Sequence, residues 1–229
     1  MTAAERKQLQ QQLLREKAVR EGRQLAQCAD LALSGQAPEP GGAVRNYLQM
    51  RGIPASTAAL AVSVGALREH RDENGRTAML ALAHNRNGVL RGVQLTKLKP
   101  DGSGKRGSSV DRLTYGPYKG SACRLFKITD DTMAVAEGVE TALAFYTLRK
   151  VATWATFGTR NLEAFEPPAS IRKLIIAADG DRAAKLGDFK GLDAAEALRD
   201  RLQKRVRIII APAPTDLDWL DVLNHGGGA

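Results

Sequence analysis

The run Leu174, Ile175, Ile176, Ala177, Ala178 ends on Asp179-Gly180-Asp181. A hydrophobic strand that finishes on two like charges two positions apart needs something that makes their proximity favourable. Comparable acids follow two other apolar runs: Glu137-Gly138 comes after "TMAVA", and Asp216, Asp218 and Asp221 come after "VRIIIAP". Carboxylates gathered without compensation repel one another, whereas a hard divalent cation such as Mg²⁺ or Mn²⁺ takes oxygen ligands and removes that cost. The pattern predicts metal-dependent chemistry with Glu137, Asp179 and Asp181 converging. Asp216, Asp218 and Asp221 would complete a second metal site or support the first. Gly138 and Gly180, without side chains, are expected to let the backbone approach a phosphate or a metal-bound water.

These acids converge only if the elements carrying them form a parallel sheet. From 131 onward, strand-like runs ("TMAVAE", "VATWATF", "IRKLIIAAD", "VRIIIAP") alternate with helical ones ("TALAFYTLRK", "NLEAF", "GLDAAEALRDRLQKR", "LDWLDVLN"). Four alternations imply an α/β fold, with helices on both faces of the sheet and strand C-termini on one ligand-binding edge. Glu140 has two readings: a carboxylate at the positive end of a helix, or part of the site. Trp154 and Trp219 read as core residues, and His70, His84 and His225 have no partner at ligand spacing.

Upstream the pattern differs. Residues 4–33 are strong helix formers and predict one or two helices, whose Leu9, Leu13 and Leu14 serve either packing or a detachable amphipathic arm. "SGQAPEPGG" reads as a linker, and "AVRNYLQMRGIPASTAALA" as two short helices, the second capped by Ser56. "TAMLALAH" and "GVLRGVQLTKL" predict an antiparallel hairpin, followed by a mobile, basic Gly/Ser loop. The expected domains are 1–40, a helical segment and linker; 41–128, a basic α+β domain; and 129–229, the acidic α/β domain.

The formal charge of +9 is uneven, with +8 over residues 31–130 and −1 over 131–229. A polyanion is the natural partner of the middle region, through Lys97, Lys99, Lys105, Arg106, Arg112, Lys119 and Arg124, with Tyr115 and Tyr118 placed to stack on bases. Cys28 and Cys123 are far apart and in no metal-ligand spacing, so no zinc and no disulfide framework are expected. No apolar run spans a bilayer and the N-terminus lacks a secretory pattern, so the expectation is a cytoplasmic protein with no membrane contact.

"VAEGVETALA" followed after one βα unit by "LIIAADGD" resembles the Toprim domain of bacterial-type primases, topoisomerases and some nucleases. The resemblance covers about 130 to 225. It implies a four-stranded, mainly parallel, Rossmann-like sheet and metal-dependent phosphoryl transfer, with Glu137 as acid/base and Asp179 and Asp181 as metal ligands. Asp218 and Asp221 resemble the acidic end segment of phage and plasmid primases. "YLQMRGI", "LRGVQLTKLKPDGSGKR" and "YGPYKGSACRLF" are similar to the N-terminal region of those primases, here without their Cys/His zinc module or helicase. The resemblance implies Mg²⁺-dependent synthesis of short RNA primers on single-stranded DNA from nucleoside triphosphates, in phage, plasmid or mobile-element replication. A replicative helicase or a separate zinc-binding subunit would be the partner. The alternatives are a Toprim nuclease and a non-autonomous single-strand-binding subunit of a replication complex.

Overall fold

A computed structural model of the chain describes residues 1–180 and 190–226; Asp181 lies outside the described residues. The chain opens with α1 (Ala3–Ser34), a single helix that Gly22 does not interrupt. A capping box starts it: the Glu5 N–H donates to Thr2 Oγ1 and the Thr2 N–H to Glu5 Oε2, at 3.3 and 2.6 Å. Its second half docks, with Cys28 and Ala32 buried against Leu80, Leu82 and Val93. Its first half carries Leu9, Leu13 and Leu14 exposed, so packing and a solvent-facing arm coexist on one helix.

Next come α2 (Ala43–Met50) and α3 (Ala55–Ser63). Ser56 does not cap α3. Pro54, whose φ of −57° is already near helical, is the N-cap instead, two residues earlier. The antiparallel region holds β1 (Leu67–Arg71), β2 (Thr77–His84), β3 (Leu90–Lys97), β4 (Arg112–Tyr115) and β5 (Ala122–Cys123). β2 and β3 form the expected hairpin, and Asn85 Oδ1 closes its turn by accepting from the N–H groups of Asn87 and Val89. β1, which the sequence pattern did not signal, lies beside β2. The loop at 98–111 is folded rather than mobile. Leu98 bridges to Lys105, and the carboxylates of Asp101 and Asp111 accept from Ser103, Gly107 and Ser108.

The second half runs β6 (Thr132–Ala136), α4 (Val139–Arg149), β7 (Thr153–Ala155), α5 (Thr159–Ala164), β8 (Lys173–Ala178), α6 (Lys190–Leu202), β9 (Arg207–Pro212) and α7 (Trp219–Asn224). Among the described residues one continuous sheet has the order β4-β3-β2-β5-β7-β6-β8-β9, parallel from β7 to β9. The short β5 joins the halves, pairing with β2 and with β7. Alternation along each central strand sorts two cores. Ala134, Ala136 and Ala177 face α4 and α7, where small residues let Phe145 and Trp219 approach. Met133, Val135, Leu174 and Ile176 face α5 and α6 with Leu162, Leu198 and Leu202. The expected α/β architecture, helices on both faces, is the one observed.

Candidate active site

β6 and β8 are adjacent and parallel, with Ala136 opposite Ala177, so Glu137 and Asp179 leave the sheet on the same edge. Glu137 is fixed through its backbone. Its carbonyl accepts from the N–H groups of Phe157 and Gly158, at 2.8 and 3.2 Å. Phe157 has φ +69°, a left-handed conformation rare for a bulky residue, so the loop after β7 is held by its surroundings rather than by its own preference. Asn161 does part of that holding: it is buried, its Nδ2 donates to the carbonyls of Ser121 and Thr156, and its Oδ1 accepts from Gly120.

Gly180 joins Asp179 to the loop that carries Asp218. Its N–H donates to the Leu217 carbonyl and its own carbonyl accepts from Asp216, both at 2.9 Å. A Cβ at this position would lie 2.1 Å from the Pro214 carbonyl oxygen. Backbone packed on backbone therefore requires the glycine, whatever the loop also lets approach. Asp218 and Asp221 form a capping box on α7: each carboxylate accepts from the other residue's N–H, at 2.8 and 3.0 Å. One Asp221 oxygen is thereby engaged, orienting Asp218.

These elements enclose a cavity of about 520 Å³. Its acids are Glu137, Glu140, Asp179 and Asp218, facing the cations Arg51, Lys105 and Arg112, with Gly138 and Phe157 also in the wall. Of the basic residues singled out from sequence, Lys105 and Arg112 reach the cavity. The others stand elsewhere. Arg106 donates to the Thr77 carbonyl, and Arg124 donates to the carbonyls of Asn85 and Arg86 while stacking over the Trp154 ring. Lys97 continues β3, and Lys119 lines a separate hollow with Tyr118 and Arg160. Tyr115 packs on the Cys28 cluster, and Tyr118 meets Phe157 at 6.2 Å between ring centroids.

Glu140 is buried, at 4% exposure. It accepts a 2.6 Å hydrogen bond from the Tyr47 hydroxyl and pairs with the Arg112 guanidinium. Burial alone would raise its pKa, but Arg112 and the Tyr47 hydroxyl outweigh burial and hold the carboxyl below the usual range. Burial and the Glu140 charge push the Tyr47 phenol up. Desolvation, and then the neighbouring Arg112, lower the pKa of Lys105.

Among the described residues no group of three His, Cys, Asp or Glu stands close enough to hold a metal ion. The described side chains that line the cavity and could ligate a metal offer oxygen, four carboxylates with Gln94, Thr114 and Thr141, a set that suits a hard cation such as Mg²⁺ and not a thiolate-ligated one.

Residues 132–229 match the Toprim domain family model. The C-terminal part of the chain is a Toprim domain. Residues 22–125 match a domain of unknown function (DUF7146). No protein of curated function matches the chain in sequence. The fold is primase-like. It is similar to the primase fragment of the bacteriophage T7 primase-helicase, with 14% identity and TM-score 0.55, over 84% of this chain and 71% of that one. It is also similar to a DnaG primase catalytic domain bound to single-stranded DNA, with 15% identity and TM-score 0.53, over 92% and 79% of the two chains. The RNA polymerase domain of Mycobacterium tuberculosis primase DnaG gives 19% identity and TM-score 0.51, over 90% and 80%.

Within the Toprim domain, sequence reading missed Thr141, Phe157 and Gly158. The last two were within reach, because "TFG" follows a parallel strand and so must lie on the ligand edge. Arg51, Gln94 and Thr114 come to the cavity from the upstream region, and no local signal marks them.

Proposed function

We propose that this protein is a metal-dependent DNA primase that synthesises short RNA primers on single-stranded DNA. The observation that carries the reading is one cavity in which acids from three strand ends of the Toprim domain face cations supplied by the upstream region. An acid-only site would bind metal without the anionic substrate. A basic-only site would bind polyanion without chemistry.

Glu137, Asp179 and Asp181, with Asp218, would hold Mg²⁺, which when bound supplies charge neutralisation for the triphosphate and in-line positioning. Arg51, Lys105 and Arg112 orient the phosphates from the opposite wall. The N-terminus of α4, next to Gly138, adds N–H groups and a positive dipole end on the same side. Glu137 takes the acid/base role, its position set by the loop N–H groups of Phe157 and Gly158. Template and primer phosphates lie along the basic antiparallel region, Lys97 and Lys119 included. A replicative helicase or a separate zinc-binding subunit completes template recognition.

The test is one reaction with purified protein, single-stranded DNA, labelled nucleoside triphosphates and Mg²⁺, run beside Asp179→Ala and Asp181→Ala. New oligonucleotides from the unmodified protein alone support the reading. Shortened template without added nucleotides replaces it with a nuclease. Neither product, with salt-sensitive single-strand binding retained, replaces it with a non-autonomous subunit.

A further inference from the structure

Glu140 is more buried than a helix-terminal acid needs to be. A carboxylate gains from a helix N-terminus while remaining in water, and taking it into the interior is costly unless it is paired. Here the pairing comes from two distant places: the Tyr47 hydroxyl from α2 and the Arg112 guanidinium from β4, 93 and 28 residues away in sequence. Arg112 reaches Glu140 through Nη2, and its side chain is still 40% exposed, on the cavity wall beside Lys105. β4 ends the sheet, with β3 as its described neighbour. A long arginine on such a strand would otherwise sample many rotamers, and a ligand would have to order it on binding.

We infer that Glu140 is a positioning residue: with Tyr47 it holds the Arg112 guanidinium at the cavity wall, oriented to receive a phosphate oxygen of the nucleotide. The inference rests on the nucleotidyltransferase reading for the identity of the ligand. Its physical content is preorganisation. The planar fork of arginine is aimed before the nucleotide arrives, and a lysine at 112 would offer a point charge with no such aim. The same contact joins α2 and β4 to the first turn of α4, three residues after Glu137, so the cation is held close in the chain to the acid/base residue.

The experiment is direct titration of the purified full chain with ATP in Mg²⁺, read by calorimetry for the unmodified protein, Glu140→Gln, Tyr47→Phe, Arg112→Ala and the Glu140→Gln/Arg112→Ala double variant. Glu140→Gln should weaken ATP about tenfold, Tyr47→Phe about threefold and Arg112→Ala about thirtyfold. The double variant should be no weaker than Arg112→Ala, because Glu140 acts through Arg112. In primer synthesis, Glu140→Gln should raise KM for nucleotide with kcat within about twofold, the signature of lost binding that is equal in ground and transition states.

Unchanged ATP affinity in Glu140→Gln, alongside a lowered melting temperature, would reduce the contact to a structural staple and overturn the inference. Additive losses in the double variant, or no triphosphate binding by the unmodified protein, would also overturn it. Should Glu140→Gln fail to fold, Tyr47→Phe against Arg112→Ala carries the same comparison with the carboxylate in place. Binding is read without turnover, so failure of the primase reading and failure of this inference appear in different experiments.

Discussion

The antiparallel and parallel halves of this one sheet use charge in opposite ways. The antiparallel half carries most of the positive excess, yet many of its arginines tie the chain to itself: Arg68 donates to the Ala32 carbonyl, Arg106 to Thr77, and Arg124 to Asn85 and Arg86. The parallel half is nearly neutral, but its acids collect where β6, β8 and β9 end. Topology is the reason. Parallel strands all finish on one edge, so acids that follow them gather there, whereas antiparallel hairpins turn at both edges and their polar residues close the turns. Net charge therefore points to a class of partner without saying which charges meet it.

The comparison yields four tests, beginning with the parallel half. Replacing Asp179 by Ala should lower primer synthesis by at least about a hundredfold, measured as labelled product per enzyme, because it removes a cavity acid proposed as a metal ligand. Near-normal synthesis would detach the strand edge from the chemistry. Gly180→Ala should come next. Its new Cβ would meet the Pro214 carbonyl at 2.1 Å, displacing the loop that holds Asp218 and costing about 2 kcal/mol in urea unfolding, along with most of the activity.

The third test lies at the contact between the halves. The folded pKa of Glu140 is depressed, so the stability it contributes is present above the ordinary carboxylate range and is lost as pH falls through the folded value. Arg112 stays charged throughout, and Tyr47 and Lys105 remain protonated in this window. Melting temperature should therefore fall more steeply from about pH 5 to pH 3 in the unmodified protein than in Glu140→Gln. Parallel pH curves would show that the pair adds no net stability.

The smallest effect belongs to the antiparallel half. Arg124→Ala should cost about 1 kcal/mol through its lost carbonyl bonds and its stack on Trp154, while leaving the salt dependence of single-strand binding unchanged. A shallower salt slope would return Arg124 to the nucleic-acid surface.

The histidines and cysteines add little to this chemistry. Burial, with Arg124 nearby, lowers the His84 pKa and favours a neutral ring, and burial pushes the Cys123 thiol up to about 12. Among the described residues no helix is long and apolar enough to cross a membrane.

Local pattern was enough for the α/β alternation, the β2–β3 hairpin and the strand ends that carry Glu137 and Asp179. Periodicity and turn chemistry act over a few residues, and a parallel sheet converts strand order into a shared edge. The same locality explains the misses. β1 is short and rich in charge, so its pattern resembles a loop. That Gly180 also has the backbone of 213–214 packed against it is invisible in the sequence, because the contact comes from a loop more than thirty residues later. Arg51, and the meeting of Tyr47, Glu140 and Arg112, depend on how α2 and β4 pack against α4, which no spacing in the sequence encodes. The sequence specified which residue types could do phosphoryl chemistry and on which edge. The tertiary structure decided which cations face them, because a long-range contact between a buried carboxylate and its partners is set by packing over the whole sheet.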